Sequence, residues 1–192
     1  MTHDIETVAA HEAGHAVFVA ASPWVAKLQA VQITPNNPEE GGRTVLRENE
    51  GKCTENERAL QIGKGLAGPL AQVLFHDATI TPEFRDRFHA SLLFEIAGKE
   101  TLNAANVPGW YGDLKTYFEI LLFPEEVGFT EEFFVIERNL RRWFDRPNVR
   151  QSIERVTAAL IERRELDADE VRELCSNLDQ SDRVTNDLLS AD

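Results

Sequence analysis

His11-Glu12-Ala13-Gly14-His15 is a complete HExxH box. On a helix, residues four apart lie one above the other on the same face, so His11 and His15 can present two imidazoles to a single metal ion. Glu12 lies about 100° further round the helix, within reach of a metal-bound water without being a ligand itself. Two neutral nitrogen donors suit Zn²⁺, and a catalytic zinc keeps one position open for water or substrate. The metal brings the pKa of that water towards neutrality, and a carboxylate beside it can take the proton. The chemistry this implies is zinc-dependent hydrolysis of a peptide bond. The competing explanation is a chance pattern on an ordinary surface helix. The flanks weigh against it: Thr2-His3-Asp4 supplies capping residues, and Ile5, Val8, Ala9, Val17 and Phe18 recur at helical spacing. Gly14 disfavours a helix by about 1 kcal/mol relative to Ala, which makes sense if another segment packs closely against it.

A hydrolytic zinc needs a third protein donor. The longer metzincin pattern requires Gly and His where this chain has Phe18 and Ala21, so that class is excluded. A thermolysin-like site would take a downstream glutamate, with Glu95 and Glu119 as candidates. Asp113 is the stronger candidate because it follows the turn-rich Asn106–Gly112 loop and opens an apolar helical stretch. An aspartate in that position is also a common helix cap. His76 and His89 are rival ligands, and spacing alone leaves the choice open.

The elements that must position these residues follow from periodicity. A helix is expected from Asp4 to Ala21, ending at Ser22-Pro23. A strand follows over Lys27–Thr34, then a turn over Asn36–Gly42 and a returning strand over Arg43–Arg47. Thr54-Glu55-Asn56-Glu57 resembles a capping box for a long helix to Phe75. Its buried stripe would be Leu60, Leu66, Ala67, Leu70, Val73 and Leu74, with a kink at Pro69. Further helices are expected over Pro82–Ala104, from Asp113 onward, and over Thr130–Phe144, Pro147–Glu165 and Ala168–Leu178. The fold class is mainly α (α+β), a zincin-like metal helix beside a small β-sheet with a C-terminal helical bundle. Residues 1–178 are expected to form a single domain. Its metal-helix and sheet part would span about 1–105 and its helical part 106–178, with a loose polar tail over 179–192.

A chain of 192 residues can bury roughly 70% of its unfolded surface, so it needs no metal clip merely to fold. Asp and Glu number 33 against 20 Lys and Arg, a net charge of −13. That balance argues against a nucleic-acid partner, which needs clustered basic residues. Cys53 and Cys175 lack CxxC spacing, so a reduced, cytoplasmic protein is expected. The apolar run Ala16–Ala21 is far too short to span a membrane, and no anchor is expected. Gly63-Lys64-Gly65 is too little for a phosphate loop, so no ATPase is expected either.

Several segments together resemble the peptidase domain of FtsH-type ATP-dependent zinc metalloproteases. They are HEAGHAV, a strand ending Ile33-Thr34-Pro35, then Gly41-Gly42-Arg43-Thr44, and a helix carrying Leu66-Ala67-Gly68-Pro69-Leu70-Ala71. Gly112-Asp113-Leu114 is similar to the family segment that brings the third ligand. Leu160–Leu166 followed by Asp169-Glu170-Val171 looks like the C-terminal helix pair, so the likeness covers most of residues 4–178. The resemblance implies that His11, His15 and Asp113 bind Zn²⁺ and that Glu12 is the general base. It further implies that the strand carrying Val31, Ile33 and Thr34 could receive an extended polypeptide substrate by strand addition, with Trp110 lining the site. The departures are the missing ATPase and membrane anchor, and Pro69 and Gln72 where the family helix reads Gly-Gly-Arg-x-Ala-Glu. A separate ATPase or a homo-oligomer would be compatible with the sequence. The expectation is a standalone zinc metalloendopeptidase acting on flexible polypeptides; the alternative is a catalytically weak or inactive zinc-binding regulatory domain.

Overall fold

The computed structural model describes residues 4–34, 41–47, 58–75 and 129–190. Helix α1 spans Ile5–Ala21, and every residue from Val8 to Ala21 is buried. A helix buried on all sides must be small and apolar around most of its circumference, which the Ala, Gly and Val content of this segment provides. Strands β1 (Leu28–Ile33) and β2 (Gly42–Leu46) lie beneath it as an antiparallel pair. Helix α2 (Arg58–Phe75), helix α3 (Phe129–Phe144) and helix α4 (Pro147–Arg163) enclose the core with it. The chain then returns as strand β3 (Glu165–Asp167), followed by helix α5 (Ala168–Leu174) and helix α6 (Asn186–Ser190). The architecture is mainly helical with one small three-stranded antiparallel sheet, in the order β2-β1-β3.

Strand β3 corrects two expectations. The helix predicted over Pro147–Glu165 stops at Arg163, because Arg164 takes the left-handed conformation (φ 69°) that terminates it, its N–H still bonded to Leu160 O at 2.9 Å. Arg164 O then accepts from Ile33 N at 2.8 Å, and Leu166, fully buried, pairs with Val31. The sheet thereby takes its third strand from the 106–178 stretch that was expected to be helical. Asp167 next caps α5 through a full capping box. Its carboxylate accepts from the Asp169 and Glu170 N–H groups, and the Glu170 side chain accepts from Asp167 N.

The loose tail is also overturned. Asp179 caps a 3-10 turn over Gln180–Asp182, and Val184 and Leu189 beyond it are fully buried. Val184 N donates to Ala21 O at 3.0 Å and Arg183 Nη1 to Ala20 O at 3.3 Å, satisfying carbonyls that the end of α1 leaves open. Trp143 Nε1 donates to Asp182 O at 2.7 Å, and Asn139 Nδ2 to Leu189 O at 3.1 Å. Two apolar residues in a polar stretch were enough to anchor it, because each meets a preformed gap. Leu189 lies over Gly63 beside Phe18, where a Cβ on Gly63 would approach both side chains to 2.9 Å.

Helix α2 runs through Pro69 to Phe75, the end expected for it. Pro69 is buried with Leu66, Ala67, Gly68, Leu70 and Ala71, so packing against α1 outweighs the lost backbone donor. Helix α5 is shorter than the predicted Ala168–Leu178, closing at Cys175. The expected helices over Pro82–Ala104 and from Asp113 lie outside the described residues. Among the described residues, no helix is long and apolar enough to cross a membrane.

Candidate metal centre

Helix α1 places His11 and His15 on one face, with their Nε2 atoms 3.2 Å apart and rings edge-to-face. Both side chains are buried, as is Glu12 between them in sequence. Buried polar groups of this kind require partners, and α2 supplies them. His15 Nδ1 donates to the Lys64 carbonyl at 2.8 Å, and His11 Nδ1 donates to Gln72 Oε1 at 3.3 Å. Both acceptors are oxygens that can only accept, so Nδ1 of each ring is the donor and Nε2 is the atom turned towards the other ring. At 3.2 Å the two Nε2 atoms are close enough to share a proton or to bind one metal ion. Two nitrogens bound at about 2.05 Å to a tetrahedral zinc lie about 3.3 Å apart. The donor set therefore fits zinc in atom type, tautomer and spacing.

Close approach of α2 is what makes these contacts possible. Lys64, Gly68 and Gln72 recur every four residues and line one face of α2, matching the four-residue spacing of the histidines. A Cβ on Gly68 would lie 2.3 Å from His15 Nε2 and 2.7 Å from His11 Nε2, so only glycine leaves the imidazole tips their room. One turn along, Gly14 performs the same service for the helix backbones: a Cβ there would come within 2.3 Å of Ala67 O and 2.5 Å of Ala71 Cβ. Gly14→Ala consequently tests helix propensity against packing. Propensity alone favours alanine by about 1 kcal/mol, whereas overpacking costs about 1–3 kcal/mol. The expected result in urea unfolding is a midpoint below wild type; a midpoint raised above it would show that α2 does not press on α1 at Gly14.

Glu12 faces the sheet. Its Oε2 accepts from Thr44 Oγ1 at 3.0 Å, and a Cβ on Gly42 would meet Glu12 Cγ at 2.6 Å and Oε1 at 2.9 Å. Gly42 and Thr44 are alternate residues on β2 and so project to the same face, one leaving space for the carboxylate and the other donating to it. A helix-borne carboxylate is thus met by a hydroxyl from the strand.

The described residues bring together His11, His15 and Glu12. Among them no group of three or more His, Cys, Asp or Glu side chains is placed to hold a metal. Asp113, its rivals Glu95, Glu119, His76 and His89, and Trp110 lie outside the described residues. The strand-addition expectation needs correction. Strand β1 is central, paired along Leu28–Ile33 with β2 and along Ala30–Gln32 with β3. Val31 and Ile33 are buried in the core, and Thr34, though exposed, donates its N–H to Gly41 O at 2.7 Å. A strand bonded on both edges cannot accept a third. Cys175 is a free thiol packed in the core, and burial pushes its pKa up to about 12. It stays protonated at neutral pH and is neither a nucleophile nor a ligand.

Lys64, Gly68, Gln72, Gly42 and Thr44 were not assigned to the site from sequence, although Gln72 stood out as a departure from the family pattern. The four-residue repeat on α2 was the signal available for three of them; the strand pair carried none. Comparison with models of protein families finds no match to this chain, and comparison with curated proteins finds none either.

Proposed function

We propose that this chain is a zinc-dependent metalloendopeptidase with an FtsH-like peptidase domain. The observation that carries the reading is the pair of Nε2 atoms 3.2 Å apart, each ring's Nδ1 against an oxygen, with the Glu12 carboxylate one residue away. A zinc ion held there would supply Lewis acidity for the scissile carbonyl and for a water near neutral pH. His11 and His15 would hold the ion, with Asp113, on the family resemblance, as the third ligand. Glu12 takes a proton from the attacking water and passes it to the departing amine nitrogen, so the C–N bond breaks with proton balance kept. Thr44 keeps the carboxylate aimed during both transfers.

The site residues are almost fully buried, with His11 at 7%, Glu12 at 5% and His15 at 6% exposure. A folded surface cannot reach such a position, so the substrate is a flexible or unfolded polypeptide. Strand β2 is the better platform for it, since among the described residues no strand pairs with its outer edge. An extended peptide added there would run beside the strand that carries Thr44 and hence close to Glu12. Gln72, the departure that would favour a non-catalytic zinc domain, still accepts from His11 Nδ1, which supports the enzyme reading.

Elemental analysis of tag-free protein tests the premise. One zinc per chain is expected in wild type and none in His11→Ala. Folded wild-type protein that takes up no added zinc would sink the peptidase reading and leave a helical interaction domain.

A further inference from the structure

The two imidazoles are backed by different acceptors, and neither acceptor carries a charge. His15 relies on a main-chain carbonyl, which no substitution at Lys64 would remove. His11 relies on a side chain, the half-buried Gln72, at 3.3 Å, beyond the usual N–H···O range. A carboxylate behind a ligating imidazole draws on the Nδ1 proton, enriches Nε2 and strengthens the bond to the metal. An amide oxygen fixes the ring and its tautomer but adds little negative charge.

We propose that Gln72 sets how tightly the histidine pair holds its metal, and that its amide makes the site exchangeable, loading and emptying with the supply of the ion. The inference rests on the zinc reading above. Gln72 accepts from His11 Nδ1 and so is a positioning residue that acts through His11. Its place on α2 is dictated by the same four-residue repeat that puts Lys64 against His15 and Gly68 against both rings. Residue 72 is therefore where chemistry can tune the site without altering a ligand or moving a helix.

The test is the zinc dissociation constant of the full chain, measured by competition with a chromophoric chelator, together with the rate of zinc loss to excess EDTA. Wild type, Gln72→Glu, Gln72→Leu and His11→Ala are compared. Gln72→Glu preserves shape and adds a charge, so it is expected to tighten binding by roughly 10–100-fold and slow metal loss; Gln72→Leu is expected to weaken binding by roughly tenfold. If Gln72→Glu fails to fold, the leucine variant decides by the same criterion. Wild type that binds one zinc, with both variants within about threefold of it, overturns the proposal and leaves the zinc reading standing. Wild type that binds no more zinc than His11→Ala overturns both.

Discussion

Glu12→Gln is expected to lower kcat for cleavage of a flexible peptide by roughly 10²–10⁴-fold while the zinc content of the chain stays at its wild-type value. The amide keeps the shape of the side chain and can still accept from Thr44 Oγ1, so neither the helix nor the fit against Gly42 should change. What is lost is the basic oxygen. Thr44→Val supplies a graded companion, since it removes the hydroxyl that aims the carboxylate and leaves the base itself. Its expected effect is a lower kcat with KM and zinc content unchanged, and a rescue by Thr44→Ser. In the Glu12→Gln background Thr44→Val should cost little more, because residues that act as a unit are not additive. Full activity in Glu12→Gln would mean that another group takes the proton. Activity absent from wild type but zinc present would favour the regulatory zinc domain instead.

Gly68→Ala is expected to abolish tight zinc binding although no ligand is touched. The added methyl would stand 2.3 Å from His15 Nε2 and 2.7 Å from His11 Nε2, distances no carbon can hold against a ring nitrogen. The imidazoles would have to swing apart or α2 would have to move. Either change spoils a ligand geometry that must be met to within about 0.2 Å. A loss in zinc affinity on the order of 100-fold or more is expected, comparable to the strongest effects of residues behind a metal ligand. Alanine favours the helix by about 1 kcal/mol over glycine, so circular dichroism should show the fold retained. Wild-type zinc affinity in this variant would mean that the histidine tips lie further from α2 than their geometry indicates.

The HExxH box and the helix that carries it were legible in the residues because their spacing is local. His11 and His15 need only one helical turn to become neighbours, and Gly14 announces a close contact by its cost to the helix. The strand pair over Leu28–Ile33 and Gly42–Leu46 was similarly open to inspection, through alternation and the turn between them. Strand β3 was hidden: three residues with one buried side chain carry no period, and Leu166 becomes a strand residue only when Val31 lies opposite. The C-terminal segment was hidden for a related reason. Its composition is polar, and Val184 and Leu189 are anchored by gaps formed by other elements.

The residues alone specify which groups are at hand: two imidazoles on one helical face and a carboxylate beside them, in a chain of net charge −13. Tertiary structure decided which atoms of those groups are available. Lys64 O and Gln72 Oε1 accept from the Nδ1 atoms and turn both Nε2 atoms towards each other; Thr44 and Gly42 place the carboxylate; β3 closes the edge of β1 that a substrate could have used. Tautomer, orientation and strand edges depend on groups far away in the chain, and only the packing of α2 and the sheet against α1 brings those groups into hydrogen-bonding range.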